Sequence, residues 1–313
     1  MITKNFKEYN STEPAVITVG TFDGIHIGHK EIINELCVIS DNKKLKSIVL
    51  SFSPHPKIVL QNSSDIMLIN SMDEKVDLLK KYNVDYFLIK EFTIDFSRLT
   101  ALEFVRDILV NKLNAKHIVV GYDHHFGRNR DASIDQLKEF GELYNFEITE
   151  VKPKKVNNNS VSSTKIRNLL LEGNLDLANK YLAYCFTITG LVIKGMGRGK
   201  KLGFPTANIK VNDQYKLIPC NGVYVIKSMI ESKIYFGMMN IGENPTFEDK
   251  NKSIEIHFFD LDYNIYDKKI KINILNRIRD EKKFKSPELL IEQLKIDKDY
   301  TLKYINENKI EVD

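Results

Sequence analysis

Tryptophan is absent from this 313-residue sequence, and cysteine occurs only three times, at Cys37, Cys185 and Cys220. The cysteines are far apart and form no CxxC pair, which excludes a disulfide framework or a zinc knuckle and favours a reducing cytoplasm. No apolar run approaches the ~20 residues that a membrane-spanning helix needs. The first eight residues contain no apolar core of a signal peptide. We therefore expect a cytoplasmic protein without a membrane partner.

A large excess of charge of one sign is also missing. The chain has 46 lysines and arginines against 42 aspartates and glutamates, a net charge of +4, and the two signs are interspersed. Such a balance gives weak support for nucleic-acid binding, and no nucleic-acid partner is expected. Its length leaves room for two domains, and its 42% hydrophobic content is that of an ordinary globular protein. The sequence does not determine an oligomeric state.

The first half of the sequence alternates strand and helix patterns. Predicted strands occupy residues 16–19, 47–52, 86–90, 118–120 and 146–151, and predicted helices occupy 30–39, 73–82, 100–113 and 134–144. Repeated βα units indicate a doubly wound, Rossmann-like α/β fold with a parallel sheet. Ligands bind such sheets beyond the carboxyl ends of the strands. Segments 20–29, 53–56 and 121–128 each follow a predicted strand.

The pattern changes near residues 184–186, after two predicted connecting helices at 165–171 and 176–184. Short β-rich runs follow at 186–194, 223–229, 234–241, 254–259 and 269–275, and a helical pattern returns only at 287–294. Such spacing predicts a small antiparallel β-barrel with one late helix. We therefore predict two domains, residues 1–184 and 185–313.

The stretch His26-Ile27-Gly28-His29 lies on the turn between a predicted strand and a predicted helix. Backbone N–H groups and the positive end of the helix dipole make such a turn an anion site. The two imidazoles add donors for phosphate oxygens, and the flanking Gly24 and Gly28 allow close backbone approach. The alternative is that the histidines only cap the helix or line a loop.

A second hydroxyl-rich segment, residues 162–167, precedes the predicted helix at 165–171. Ser163 and Thr164 are suited to cap this helix. The same helix N-terminus can bind phosphate, with Arg167 in its first turn. Capping and phosphate binding are compatible here.

Residues 195–208 form a loop rich in glycine and cations. Such a loop can wrap phosphates through backbone amides and positive charge. The residues concerned are Gly195, Gly197, Arg198, Gly199, Lys200, Gly203 and Pro205. Thr206 and Asn208 offer neutral oxygens suited to Mg²⁺, which needs few protein ligands besides phosphates and water. A flexible basic loop that contacts RNA is the alternative.

In combination these motifs resemble the bacterial bifunctional riboflavin kinase/FAD synthetase family. The matching segments of the first half are 22–24, 26–29, 53–56, 121–123 and 162–167, and those of the second half are 202–208, 222–224, 240–247, 255–257 and 278–284. They occur in order and cover almost the whole chain. The resemblance implies a nucleotidylyltransferase domain followed by a six-stranded antiparallel β-barrel kinase domain with a C-terminal helix. It also implies two reactions, phosphorylation of riboflavin to FMN and adenylylation of FMN to FAD plus pyrophosphate, with ATP as co-substrate and Mg²⁺ as cofactor.

The resemblance also implies roles for individual residues. At the adenylyltransferase site, ATP and its phosphates would contact Gly20, Phe22, Asp23, Gly24, His26, Gly28, His29, Ser163, Thr164 and Arg167. The flavin there would contact Pro54, His55, Pro56 and Asp123. At the kinase site, the flavin would contact Asn240, Asn244, Thr246 and Arg279.

The two reactions need different chemical help. A ribityl hydroxyl is a poor nucleophile at neutral pH, so phosphoryl transfer from ATP benefits from a carboxylate base and a metal. Glu255 is the candidate base by resemblance, although a glutamate alternating with Ile254 and Ile256 is also typical of a solvated strand face. Asp262 and Glu243 are weaker candidates. FMN carries a phosphate that is mostly ionised near neutral pH, so its adenylylation requires charge neutralisation and alignment and no base.

Four departures from the family pattern concern efficiency and flavin contacts. His124 and His125 stand where Phe-Arg is usual, Ala132 lies near a usual glycine, Lys200 replaces a common arginine, and Asp267 stands where a glycine often occurs.

Two other interpretations of the function stay open. One is an RNA-binding or tRNA synthetase-related protein, because the HIGH string is also a signature of class I aminoacyl-tRNA synthetases. The other is a flavin-binding regulator that retains only one activity.

Overall fold

A computed structural model of the chain describes residues 1–61, 66–122, 125–128, 131–156, 159–195, 197–243 and 252–310. The chain divides into two compact units, Met1–Ser163 and Thr164–Asp313. The second unit therefore includes the two helices that precede the barrel strands. Whether the two activities separate at the sequence boundary near residue 185 stays a prediction.

A parallel β-sheet forms the centre of the first unit. Its strands are β1 (Ile2–Asn5), β2 (Ala15–Val19), β3 (Lys46–Ser53), β4 (Tyr86–Glu91), β5 (Ala115–Gly121) and β6 (Glu147–Val151). In the described part of this unit, these six strands follow the order β1-β4-β3-β2-β5-β6, and every pair is parallel. The predicted doubly wound sheet is confirmed. The sequence pattern does not predict β1, because all four of its residues are exposed and give no pattern of buried apolar positions. A two-residue pair, β7 (Lys155–Val156) and β8 (Asn159–Ser160), follows the sheet.

Helices connect these strands. They are α1 (Ile27–Lys43), α2 (Pro56–Gln61), α3 (Met72–Leu79), α4 (Ile94–Ser97), α5 (Ala101–Glu103) and α6 (Ile134–Tyr144), with a short 3-10 turn at Phe6–Glu8. The predicted helix at 100–113 is instead α5 continued by a π-helix over Phe104–Lys112. Val105, Leu109 and Leu113 pack into the core, whereas Leu102 is 41% exposed, so the predicted apolar face is narrower than expected.

The second unit contains a closed antiparallel barrel. Its strands are β9 (Thr187–Ile193), β10 (Ala207–Lys210), β11 (Gly222–Ile230), β12 (Lys233–Glu243), β13 (Lys252–Phe258) and β14 (Lys269–Arg279). Around the barrel, over the residues that are described, the order is β10-β13-β12-β11-β14-β9. The six-stranded barrel expected from the family is confirmed. The sequence pattern predicts five of these strands and does not separate β10 from the glycine-rich loop, because β10 is only four residues long.

The helices of the second unit are α7 (Ser163–Glu172, which begins at the last residue of the first unit), α8 (Leu175–Leu182), α9 (Arg198–Lys201) and α10 (Pro287–Glu307). α10 was predicted only over residues 287–294. Its second half was missed because two of its three buried positions, Asp297 and Thr301, are polar and only Ile305 is apolar. Ile305 packs on an apolar cluster that includes Val225 and Met238 of the barrel. No helix within the described residues is long and apolar enough to cross a membrane.

Candidate functional site

Three of the predicted segments follow the carboxyl ends of adjacent strands. β2 lies between β3 and β5, and the sheet order reverses at β2, which is where doubly wound sheets bind ligands. Gly20 directly follows β2, and its N–H donates to the Leu50 carbonyl at 3.0 Å. Pro54 follows β3 and Tyr122 follows β5. The parallel register therefore places these segments along one edge of the sheet.

The turn between Gly20 and His26 has an unusual backbone. Phe22 and Ile25 have φ values of +47° and +34°, and Gly24 has a φ of +90°. Positive φ is costly for bulky residues and persists only where surrounding contacts fix it. Such contacts exist at Asp23. Its carboxylate accepts hydrogen bonds from the backbone N–H groups of residues 69 and 70, at 2.9 and 3.2 Å.

The structure brings the two predicted histidines together. His26 is the N-cap residue of α1, and its Nδ1 accepts a hydrogen bond from the His29 N–H at 3.4 Å. The imidazole rings stack with centroids 3.7 Å apart and planes at 15°. A Cβ on Gly28 would lie 3.3 Å from the His26 ring, so glycine gives this stack room. The helix begins three residues earlier than predicted, which places both histidines at its first turn.

The histidine pair lies in a buried and positive environment. Burial is the main cause that holds the pKa of His29 well below its usual range, and neighbouring His26 and Lys75 add to the effect. The His29 ring is therefore neutral near pH 7. Its Nδ1 has no hydrogen-bond partner among the described residues. A buried neutral imidazole next to a cation is suited to contact an anion.

Lys75 is a residue of this site that the sequence pattern does not indicate. Lys75 is only 6% exposed, and its ammonium donates to the Thr21 carbonyl oxygen at 2.6 Å. The residue lies within a predicted helix among charged neighbours, a pattern typical of a solvated face. The sequence carried no signal that this lysine points inward.

The other predicted residues of this site are placed as follows. The Ser163 hydroxyl donates to the Asp23 carbonyl oxygen at 2.8 Å. Thr164 and Arg167 lie on α7, where Thr164 is exposed and Arg167 half-buried. Pro56 begins α2, and His55 Nδ1 accepts from the Lys57 N–H at 3.2 Å. Asp123 and His124 lie outside the described residues. His125 is exposed, and Ala132 is buried in a bridge with Phe126.

The barrel presents a second group of predicted residues in one row. Asn208 of β10 pairs with Glu255 of β13, and Glu255 pairs on its other side with Asn240 of β12. Asn240 pairs with Val223, which pairs with Arg279 of β14. Cross-strand partners lie on the same face of a sheet. The register therefore aligns side chains that are up to 71 positions apart in the sequence, from residue 208 to residue 279.

Glu255 lies on the face of β13 that the sequence alternation predicted. Ile254 and Ile256 are buried, whereas Glu255 and His257 are half-buried. The Thr206 hydroxyl donates to Glu255 Oε2 at 3.1 Å. His257 Nδ1 bonds to the Pro205 carbonyl oxygen at 2.9 Å. The segment before β10 is thus tied to β13 at two successive residues, and His257 is a contact that sequence analysis did not predict.

Glycines allow the loop before β10 to approach these residues closely. A Cβ on Gly195 would lie 2.0 Å from Asn208 Nδ2, and a Cβ on Gly199 would lie 2.3 Å from the Phe204 carbonyl oxygen. Gly197 and Gly203 have φ values of +68° and +82°. Lys200 lies on α9, which begins after Gly197. Any larger residue at 195 or 199 would displace the polar groups of this site.

The backbone conformation at residue 267 explains one departure from the family pattern, the aspartate that stands where a glycine often occurs. Its φ of +61° lies in the left-handed region, where glycine is favoured and aspartate is one of the better-tolerated alternatives. The substitution thus preserves the turn. Nothing in the structure explains why lysine stands at residue 200.

Arg279 is already bound to a carboxylate. Its Nε and Nη2 donate to Asp297 on α10 at 2.9 and 2.7 Å, and the Asp297 side chain is 1% exposed. This pair fixes Arg279 at the end of the row. Glu243 lies further along β12 and pairs with Lys252. Asn244, Thr246 and the Arg198 side chain lie outside what the structure describes.

The oxygen atoms near Glu255 fit a magnesium ion. Mg²⁺ prefers oxygen ligands and usually keeps several waters and substrate phosphates. Thr206, Asn208 and Glu255 offer a hydroxyl, an amide oxygen and a carboxylate on adjacent strands or next to them. No group of three or more His, Cys, Asp or Glu side chains that could hold a metal is found within the described ranges. A site built from the neutral oxygens of Thr206 and Asn208 together with substrate phosphates, with the Glu255 carboxylate beside it, is consistent with both observations.

Comparisons with known proteins agree with the two-unit architecture. Residues 8–165 match the family model described as FAD synthetase, and residues 182–305 match the model described as riboflavin kinase. A bifunctional riboflavin kinase/FMN adenylyltransferase of Buchnera aphidicola subsp. Acyrthosiphon pisum is 38% identical over 308 residues, with 97% of each chain covered. A protein of the same name from Listeria monocytogenes is 37% identical over 288 residues, with 91% of each covered. A solved structure from Streptococcus pneumoniae, described as a macrolide-efflux protein, has a TM-score of 0.89 at 33% identity and covers 96% of this chain and 99% of that one.

Proposed function

This chain belongs to the bifunctional riboflavin kinase/FMN adenylyltransferase family, and we propose that it has two ATP sites. One is the histidine turn, residues 20–29. The other is the barrel row, formed by Asn208, Glu255, Asn240, Val223 and Arg279, with the loop before β10. The resemblance inferred from the sequence is confirmed. The chain is an enzyme that phosphorylates riboflavin to FMN with ATP and adenylylates FMN to FAD with a second ATP. The interpretations as an RNA-binding protein or as a flavin-binding regulator are not favoured.

At the barrel row, Glu255 acts as the general base for the kinase reaction. Its carboxylate takes the proton of the ribityl hydroxyl as the hydroxyl oxygen bonds to the γ-phosphorus of ATP and ADP leaves. Thr206 and Asn208 would hold a magnesium ion, which when bound would neutralise phosphate charge. The loop from Gly195 to Pro205, with Lys200, surrounds the phosphates. The observation that carries this assignment is the 3.1 Å hydrogen bond between Thr206 and Glu255, which joins the candidate metal ligand to the candidate base.

The flavin of the kinase reaction lies along the same row. Asn240 is the direct neighbour of Glu255 on β12, which supports a contact between its amide and the ribityl chain in the proposal. Asn244 and Thr246 complete this contact in the proposal. Arg279, fixed by Asp297, bounds the far end of the row. These roles are carried over from the family motifs.

At the histidine turn, a phosphate oxygen of FMN bonds to the α-phosphorus of ATP while the bond to the bridging oxygen breaks. Pyrophosphate leaves with the electron pair of that bond. Because both reactants are anionic, the site must supply positive charge and hydrogen-bond donors. His26 and the neutral His29 ring supply hydrogen-bond donors, and the N-terminus of α1 supplies partial positive charge. Ser163, Thr164 and Arg167 add further donors and one positive charge, roles carried over from the family motif. Pro54, His55, Pro56 and Asp123 contact the flavin.

The remaining proposals concern organisation and cofactor. We place the functional boundary near residue 185, with adenylylation in residues 1–184 and the kinase in 185–313. We also place the enzyme in the cytoplasm, because its three cysteines are free and widely spaced in the sequence. Mg²⁺ is the proposed metal of the kinase site.

A titration with magnesium tests the kinase site. FMN formation from riboflavin and ATP is measured against Mg²⁺ concentration for the unaltered enzyme and for Thr206→Ala and Asn208→Ala. Both variants should need several-fold more Mg²⁺ for half-maximal rate, because each loses one oxygen ligand. FAD formation from supplied FMN at saturating Mg²⁺ serves as the control and should not change. Unaltered magnesium dependence in both variants would assign these residues a purely structural role.

A further inference from the structure

A buried lysine next to the histidine turn has no role in the chemistry assigned so far. Lys75 is 6% exposed and lies in the first half of α3. Burying an ammonium group is unfavourable unless partners compensate for lost hydration. Burial indeed lowers the pKa of Lys75, and the Asp23 carboxylate partly offsets the shift. A charge held at this position at such a cost requires an explanation.

The turn and the region of α3 are joined by hydrogen bonds that are donated in opposite directions. Asp23 on the turn accepts from the backbone N–H groups of Ile69 and Asn70, just before α3. Lys75 on α3 donates in return to the Thr21 carbonyl oxygen at 2.6 Å. Each element therefore holds the other.

The start of α3 is itself rigid, so Lys75 projects from a fixed support. Ser71 and Glu74 form a capping box, in which the Glu74 carboxylate accepts from the Ser71 N–H at 3.1 Å and the Ser71 hydroxyl accepts from the Glu74 N–H at 3.3 Å. Lys75 is the next residue. A capping box fixes the first turn of a helix, which leaves the lysine little freedom except in its side chain.

The bond from Lys75 acts where the turn is most strained. Thr21 immediately precedes Phe22, the first of the two bulky residues with positive φ. These residues lead directly to His26 at the start of α1. Without the contacts at Thr21 and Asp23, relaxation of the strained backbone would lower its free energy, and the histidines would move with it.

The charge of Lys75 also affects the protonation of the histidine pair. It is one of the causes that lower the pKa of His29, together with burial and His26. The same positive field would stabilise anionic phosphates at the turn. In a buried site such a field is stronger than in water, because screening is weaker.

We propose that Lys75 is a positioning residue for adenylyl transfer, which fixes the strained turn through Thr21 and adds a positive charge behind His29. It acts through these two groups and does not touch the reacting atoms. The inference rests on the proposed location of adenylyl transfer at the histidine turn.

The test replaces the lysine in the full-length enzyme. Lys75→Met keeps the buried volume and removes both donor and charge, and Lys75→Gln keeps a donor without the charge. Lys81→Met, an exposed lysine just beyond the same helix, is the matched control for the change in net charge. We expect Lys75→Met to reduce the kcat of FAD formation from FMN on the order of 10- to 100-fold, with a smaller loss for Lys75→Gln. Riboflavin phosphorylation by the same molecules and both activities of Lys81→Met should be unchanged.

Two further measurements separate positioning from a purely structural role. Thermal unfolding should show no loss of stability, because exchange of a buried charge for an apolar side chain of similar volume is often neutral or stabilising. The NMR titration of His29, assigned by its absence in His29→Gln, should move to higher pH in Lys75→Met, because the positive charge that lowers the pKa is gone.

The results that overturn the inference are distinct. Unchanged FAD formation in Lys75→Met, or an unmoved His29 titration, would remove Lys75 from the mechanism. Activity that falls only in proportion to the folded fraction, or unfolding of both Lys75 variants, would make the residue structural. If His29→Ala also leaves FAD formation intact, the proposed site itself is wrong. If His29→Ala abolishes FAD formation and Lys75→Met does not, only the inference about Lys75 fails.

Discussion

The two proposed ATP sites of this chain differ in how the sequence builds them. The histidine turn is contiguous in the sequence, buried, and rich in nitrogen donors, with His26 and His29 stacked at the start of one helix. The barrel row is assembled from strands, half-buried, and rich in oxygen, with Glu255 flanked by Asn208 and Asn240. The difference follows from the nucleophiles. An anionic phosphate needs positive charge, whereas a neutral hydroxyl needs a base and a metal.

The two sites also depend on different structural supports. The histidine turn depends on a strained backbone that Asp23 and Lys75 fix by contacts with the region around α3. The barrel row depends on strand register. A shift of one residue in β13 would turn Glu255 toward the interior and expose its apolar neighbours. A local perturbation should therefore disable the first site, whereas the second site should tolerate local changes outside the row and outside the glycine-rich loop before β10.

The largest effect is expected for Glu255, the proposed general base of the kinase reaction. Glu255→Gln should lower riboflavin phosphorylation by about 10²- to 10⁴-fold, the range typical of a general base, because the amide cannot accept the ribityl proton. Glu243→Gln on the neighbouring strand makes the same chemical change at an exposed position. It is the matched control and also tests this weaker candidate, because the kinase rate should be retained. The rates are measured by chromatography of FMN, and conversion of supplied FMN to FAD should be retained. A near-normal kinase rate in Glu255→Gln would leave this residue without a catalytic role.

A somewhat smaller effect is expected at the histidine turn. His26→Ala and His29→Ala should each lower FAD formation by about 10²- to 10³-fold, the loss typical of one preorganised donor, while FMN production continues. Release of pyrophosphate gives the rate, and circular dichroism checks the fold. Normal FAD synthesis in both variants would return the histidines to the role of a helix cap.

The smallest effect on riboflavin phosphorylation should come from trimming the chain at the predicted boundary. A fragment of residues 186–313 should phosphorylate riboflavin and make no FAD, as should the longer fragment 164–313. The shorter fragment should melt at a lower temperature because it lacks α8. On that helix Asn179 accepts from the Phe186 N–H at 2.7 Å and donates to the Ile274 carbonyl at 3.1 Å. Loss of such a hydrogen-bond partner lowers the free energy of unfolding by about 1–3 kcal/mol. A folded 186–313 fragment without kinase activity would show that the activities do not separate near residue 185.

Local patterns in the sequence predicted much of this molecule. The parallel sheet, the helix that follows His26 and the face of Glu255 all follow from hydrophobic periodicity or from residues near one another in the chain. The barrel row required strand register, which periodicity within single strands does not contain. Lys75 and Asp297 were missed for a related reason. Both are charged residues that a tertiary partner holds in the interior, Thr21 in one case and Arg279 in the other.

A mixing experiment tests most directly whether the two sites act independently within one chain. Glu255→Gln and His29→Ala are each incubated with riboflavin, ATP and Mg²⁺, separately and together, and the flavins are separated by chromatography. We predict that Glu255→Gln leaves riboflavin, that His29→Ala accumulates FMN, and that the mixture forms FAD, because FMN released by one variant is adenylylated by the other. A mixture that forms no FAD, or either variant alone forming FAD at the unaltered rate, would contradict the account.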